Sequence, residues 1–146
     1  MEENSFRLDN YSLYMVFKDK FCGRPWNTWP KKYRNKNIKK IELSENEKER
    51  FDYYRFVQYI FYKQWFKLKE YANRKGVKII GDIPIFVVTD SADTWGCKKI
   101  FQFTKSGKPK KVAGCPPDYF SRKGQLWGNV VYNWKKIEKI GYQWWI

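Results

Sequence analysis

The 146 residues include no histidine, so a Ser-His or Cys-His nucleophile pair, a histidine-bearing zinc site and an imidazole proton relay are all excluded. Acid and base work therefore falls to carboxylates. Asp82 stands out among them: Val77-Lys78-Ile79-Ile80-Gly81-Asp82-Ile83-Pro84 reads as a β-branched apolar strand that is broken at Asp82 and Pro84. A helix followed by a buried strand that ends in a carboxylate is the layout of one α/β-barrel unit, in which catalytic groups sit at the C-terminal ends of strands. The competing reading is a carboxylate that satisfies loop amides. The second candidate is the stretch Ala113 to Asn129, where Pro116 and Pro117 stiffen the backbone and several glycines permit tight turns. It carries Tyr119, Phe120, Gln125 and Trp127, apolar ring faces beside amide donors and acceptors, the combination a sugar-binding groove needs. A self-packed loop is the alternative.

These groups need elements to position them. Leu8, Tyr11, Leu13, Tyr14, Met15 and Phe17, with Phe6 before them, predict a short buried helix ended by Gly23, Pro25 and Pro30. Trp26 and Trp29 in the turn that follows read as a packing plug. Ser44 with Glu47 forms a capping box, and the stripe Phe51, Tyr54, Val57, Phe61, Trp65, Leu68 and Ala72 predicts one long helix to about Lys75, stopped by Gly76. An aromatic stripe at helical spacing is ordinarily core. Asp90 to Trp95 suggests an N-cap and a short helix, and Gly107 marks a hairpin tip between Phe103 and Val112.

Composition narrows the class further. One domain or a piece of one fits the length, and a chain that is 42% hydrophobic and 21% aromatic can bury a core. The net charge of +15 invites a nucleic-acid reading, with basic loops at Lys31, Lys32, Arg34, Lys36, Lys39 and Lys40 and again from Lys98 to Lys111. Lysines greatly outnumber the seven arginines, however, and no recognition-helix, RNP or finger pattern occurs. No nucleic-acid partner is expected. Cys22, Cys97 and Cys115 are odd in number and lack any C-x-x-C spacing, so no disulfide framework or thiolate metal site is indicated, and a reducing cytoplasm is the simplest location. The first ten residues lack an apolar signal core, and no run is long enough to span a membrane.

Five motifs in order then resemble glycoside hydrolase family 77, the 4-alpha-glucanotransferases or amylomaltases. They are Ile80-Gly81-Asp82-Ile83-Pro84-Ile85-Phe86-Val87, Asp90-Ser91-Ala92-Asp93-Thr94-Trp95, Ala113-Gly114-Cys115-Pro116-Pro117-Asp118-Tyr119-Phe120-Ser121, Gly124-Gln125-Leu126-Trp127-Gly128-Asn129 and Gly141-Tyr142-Gln143-Trp144-Trp145-Ile146. Leu8 to Tyr14 and Gly23 to Pro30 also look like that family's earlier motifs. Cys115, Val130 and Asn133 depart from its usual Val, Pro and Asp.

The resemblance implies an α/β fold, a partial (β/α)8 TIM barrel with inserted helical and loop segments. It divides the single fragment into a helical and loop insertion at 1–43, a helix plus barrel strand at 44–88, and substrate-groove loops with short helices at 89–146. It also implies transfer of α-1,4-glucan segments to glucose or maltooligosaccharide acceptors with retention, without a cofactor or metal. Retention calls for a nucleophilic carboxylate and an acid/base carboxyl roughly 5 Å apart. In the family both follow the Gly-Tyr-x-Trp-Trp-Ile motif, so the chain alone is expected to be inactive. Asp82 matches a substrate-positioning carboxylate; Tyr119, Phe120, Gln125 and Trp127, with Asp118 and Ser121, match a loop over the glucan groove. A barrel slice without its neighbours should expose strand edges and apolar stripes, and a complementing chain that supplies the rest of the barrel is one way to cover them. A non-catalytic carbohydrate-binding or nucleic-acid-binding module is the alternative.

Overall fold

A computed structural model describes residues 5–34, 41–83 and 85–146. Lys36, Lys39, Lys40, Pro84 and the side chain of Phe6 lie outside the described residues. The elements run α1 (Ser5–Lys20), α2 (Lys31–Arg34), α3 (Glu45–Arg74), α4 (Ala92–Gly96), β1 (Val112–Cys115), β2 (Gln125–Val130) and α5 (Trp134–Lys139). The mixture of helix and strand agrees with an α/β reading. The only sheet among the described residues is the antiparallel β1–β2 pair, so a partial parallel barrel is not seen.

Two apolar clusters hold the chain. The first packs Leu13, Tyr14, Val16 and Phe17 of α1 against Trp26, Trp29 and Trp95, and the two tryptophans of the turn are buried as the plug reading required. Phe17 meets the rings of Trp29 and Trp95 edge-on at 5.9 Å, a favourable quadrupole geometry. The second cluster gathers Ile100, Phe101, Val130, Tyr132 and Ile137, with Phe86, Trp144 and Trp145 on its flank.

Asp90 joins α1, the Trp26 turn and the α4 cap. Its carboxylate accepts from Tyr14 Oη at 2.9 Å, Lys18 Nζ at 2.8 Å and the Trp26 amide at 3.0 Å. Next to it, the Trp26 indole donates to the Thr89 carbonyl and to Thr94 Oγ1. Ser91 and Thr94 exchange the two bonds of a capping box at the start of α4. Burial and the neighbouring carboxylate both push the Tyr14 hydroxyl pKa well above its ordinary value.

The long helix forms as its sequence dictates. Ser44 Oγ accepts from the Glu47 amide and Glu47 reaches back to the Ser44 amide, and Gly76 adopts the left-handed conformation that ends the helix at φ +77°. Its placement differs from the core reading. Phe51 and Tyr54 pack on α1, where Tyr54 Oη donates to Asp19 and Arg50 pairs with the same carboxylate. Val57, Phe61, Trp65 and Leu68 are exposed, and no residue of α3 is buried. α1 reaches only the first turns of a 30-residue helix. Among the described residues the remaining stripe therefore has no apolar surface opposite it, in line with the expected exposure of apolar stripes.

The expected barrel strand is not formed in this chain by itself. Val77 to Asp82 carries no strand hydrogen bonding, and Ile80 is 94% exposed. A strand exists only when a neighbouring strand satisfies its amides, and none lies beside this segment among the described residues. The expected turn at Gly107 forms, with Thr104 accepting from Gly107 and bonding to Lys108 across it.

Candidate functional site

Asp82 is exposed and bonds to the Ile83 amide at 2.7 Å, the local loop role weighed against catalysis. It also lines an open groove of about 500 Å³ with Gly81, Ile83, Ile85, Phe86, Val131, Trp134 and Trp145. A carboxylate beside the exposed Trp134 indole supplies both contacts a pyranose needs, an acceptor for hydroxyls and an apolar platform for the C–H face.

Hydrogen bonds position the hairpin relative to Asp82. Asn129 Nδ2 donates to the Val87 carbonyl at 3.1 Å, and Thr89 Oγ1 donates to the Gly128 carbonyl at 3.3 Å. The segment after Asp82 is thus fixed to β2. On β2 the Trp127 indole donates to Gln125 Oε1 at 2.9 Å, which orients both candidate side chains. Trp127 lies 6.0 Å from the ring of Phe86, Phe86 stacks on Tyr132 at 6.2 Å, and Tyr132 meets Trp134 and Trp145 at 5.3 Å each. A continuous line of rings therefore links the hairpin to the groove that holds Asp82.

The loop between β1 and β2 is built around Asp118. Its carboxylate accepts from the amides of Phe120 at 2.9 Å and Ser121 at 2.7 Å, and Ser121 Oγ donates to the Gly124 carbonyl at 2.7 Å. Asp118 and Ser121 thus shape the loop. Tyr119 and Phe120 project from its tip, 96% and 89% exposed, with their rings edge to face at 5.7 Å. Gln125 and Trp127 join the ring line, whereas Tyr119 and Phe120 form a separate exposed pair.

Four residues of this surface escape sequence reasoning: Phe86, Tyr132, Trp134 and Trp145. Spacing gives no direct sign of Tyr132 and Trp134, although the density of aromatics from Tyr132 to Trp145 is a trace of them, and Phe86 and Trp145 fall inside two of the motifs that carry the resemblance. Burial, with a smaller contribution from Asp93, pushes the Tyr132 phenol up to about 12, so it stays neutral and serves as packing. No group of three or more His, Cys, Asp or Glu that could hold a metal occurs among the described residues.

Comparison with known proteins gives the family. The family model for 4-alpha-glucanotransferase matches residues 1–146. A 4-alpha-glucanotransferase from Clostridium butyricum is 47% identical over the whole chain, and one from Aquifex aeolicus is 42% identical. In each case the chain spans 30% of the relative's length. The solved amylomaltase from Streptococcus agalactiae in complex with acarbose superposes with a TM-score of 0.84 at 38% identity, over 94% of this chain and 28% of that one. Sequence and fold together define the chain as a segment of a glycoside hydrolase. The chain belongs to the 4-alpha-glucanotransferase family, glycoside hydrolase family 77.

Proposed function

We propose that this chain forms the donor-gripping part of a 4-alpha-glucanotransferase, an enzyme that moves α-1,4-glucan segments to glucose or maltooligosaccharide acceptors with retention. The observation that carries the reading is the line of rings from Trp127 through Phe86 to Trp134 and Trp145 beside the Asp82 carboxylate. Asp82 holds hydroxyls of the sugar at the cleavage point. Gln125 and Trp127 supply an amide and a stacking face, and Tyr119 and Phe120 close over the glucan from the loop that Asp118 and Ser121 brace.

The nucleophile and the acid/base carboxyl come from the part of the barrel that the chain does not span, and the two act as retaining carboxylates. In that barrel residues 44–88 contribute a helix and the strand that ends at Asp82. Residues 1–43 are an insertion and residues 89–146 form the groove. A complementing polypeptide, or the rest of a longer one, covers the exposed face of α3 and pairs with residues 77–83. The odd number of cysteines without paired spacing supports a reducing compartment, and we place the protein in the cytoplasm.

Grafting the 146 residues in place of the matching part of the Clostridium butyricum relative tests the proposal. Glucose release from maltotriose by the graft supports it; a folded but inert graft refutes it.

A further inference from the structure

A second concave site lies away from the Asp82 groove. It is a pocket of about 270 Å³ lined by Trp26, Arg34, Lys98, Lys99, Phe101, Phe103 and the turn from Thr104 to Gly107. Four cationic side chains, those of Arg34, Lys98, Lys99 and Lys105, line it together with the hydroxyls of Thr104 and Ser106. No carboxylate is among the described lining residues. The sequence accounts for this, because no Asp or Glu occurs between Lys31 and Ile41, nor anywhere between Asp93 and Asp118. Arg34 of the first basic stretch and Lys98, Lys99 and Lys105 of the second meet at this pocket.

Lys98 is the informative member. Its ammonium lies 4.4 Å from the centre of the buried Trp26 ring and donates to the Arg34 carbonyl, so among the described residues a ring face and a neutral acceptor offset its charge. Burial, and then the neighbouring Arg34 guanidinium, lower its pKa from the ordinary lysine value to about 8. A half-buried cation among like charges is unfavourable until an anion joins it. The turn is held against Trp26 by Gly107. With φ at +84°, its missing Cβ would stand 2.9 Å from the indole, so only glycine lets residues 104 to 106 form that wall.

We propose that this pocket binds a phosphate oxyanion, either free or carried as a monoester on a small metabolite. Arg34 and Lys98 neutralise it from the floor, Lys99 and Lys105 from the rim, and the Thr104 and Ser106 hydroxyls, bonded to each other at 2.9 Å, have one proton between them left to donate to its oxygens. At about 270 Å³ the site lies at the small end of ligand pockets, which suits one compact anion and not a nucleic-acid backbone. The site is separate from the glucan groove and stands or falls independently of it.

The test is a ³¹P NMR titration of the full 146-residue chain with inorganic phosphate and, separately, with glucose 6-phosphate, at ionic strength fixed with sodium chloride. Saturable line broadening is expected for at least one of them. The affinity should fall about tenfold or more in Lys98→Gln and in Lys105→Gln, and change less than about twofold in Lys135→Gln, a lysine outside the pocket. Far-UV circular dichroism verifies that each variant keeps its helix content, and Lys105, being exposed, is the variant least able to disturb the fold. Tighter binding of the monoester assigns the site to a phosphorylated metabolite, and equal binding assigns it to free phosphate. Absence of saturation with both probes, or an equal loss in Lys135→Gln, overturns the proposal.

Discussion

Replacing Asp90 tests how the first core is held. In Asp90→Ala the Tyr14 hydroxyl and the Trp26 amide lose the carboxylate oxygen they share, whereas Lys18 keeps the Gly23 and Arg24 carbonyls. Each part-buried donor left without an acceptor costs about 1–2 kcal/mol. The ion pair itself adds about 0.5 kcal/mol, because its side chains are 19% and 28% exposed. The loss comes to about 3 kcal/mol, a large part of the stability of an ordinary domain. Asp90→Asn retains an amide oxygen where Oδ1 stood and gives up only the charge, so it should lose about 1 kcal/mol. Urea unfolding followed by tryptophan fluorescence reads both variants, and with a slope of about 2 kcal/mol/M the alanine variant should unfold about 1.5 M earlier. If the two variants lose equally, the charge and not the shared acceptor is what matters; if the alanine variant loses under about 1 kcal/mol, Asp90 does not join the segments.

Three further outcomes follow from the same geometry. Lys98 holds its proton to the ordinary 10.5 when unfolded but only to about 8 when folded. Between those values the unfolded chain binds more protons, so stability should rise with pH from about 8 to 10.5. Comparing urea midpoints at pH 7.5 and 9.5, the gain should shrink in Lys98→Met; equal gains would contradict the assignment. The exposed rings of α3, Phe56 at 61% and Phe66 at 60% among them, should make the isolated chain self-associate, and light scattering should fall in Phe56→Lys/Phe66→Lys; a monodisperse parent chain would count against this. In the Clostridium butyricum graft, Trp127→Ala should raise KM for maltotriose about fivefold by removing a stacking face worth about 1 kcal/mol while leaving kcat nearly unchanged. An unchanged KM would remove Trp127 from the glucan surface.

What the sequence made legible was local. The Ser44 and Glu47 box, the Gly76 stop, the cap and short helix within Asp90 to Trp95, the Gly107 turn and the Trp26 and Trp29 plug each depend on residues a few positions apart or on bulk apolar burial, and all form. What it misplaced depends on neighbours. Residues 77–82 have the composition of a strand but no strand beside them, and the α3 stripe has the spacing of a core face but only α1 opposite its first turns. The same limit applies at the site. Asp82, Gln125 and Trp127 were named from motif and chemistry, but Phe86, Tyr132 and Trp134 join them only once β2 is tied to residues 87–89. The pairing of Arg34 with Lys98 across a pocket is likewise a tertiary fact, invisible in either lysine-rich stretch alone.

The central claim is that Asp82 holds the sugar while the reacting carboxylates lie in the portion of the barrel this chain does not span. The most direct measurement is the steady-state transfer rate from maltotriose in the Clostridium butyricum graft with and without Asp82→Asn, alongside the 146-residue chain alone. The account predicts no glucose from the isolated chain and a loss of about 10²-fold or more in kcat for the Asp82→Asn graft, with KM changed far less. Turnover by the isolated chain, or a folded Asp82→Asn graft that keeps its full kcat, would contradict it.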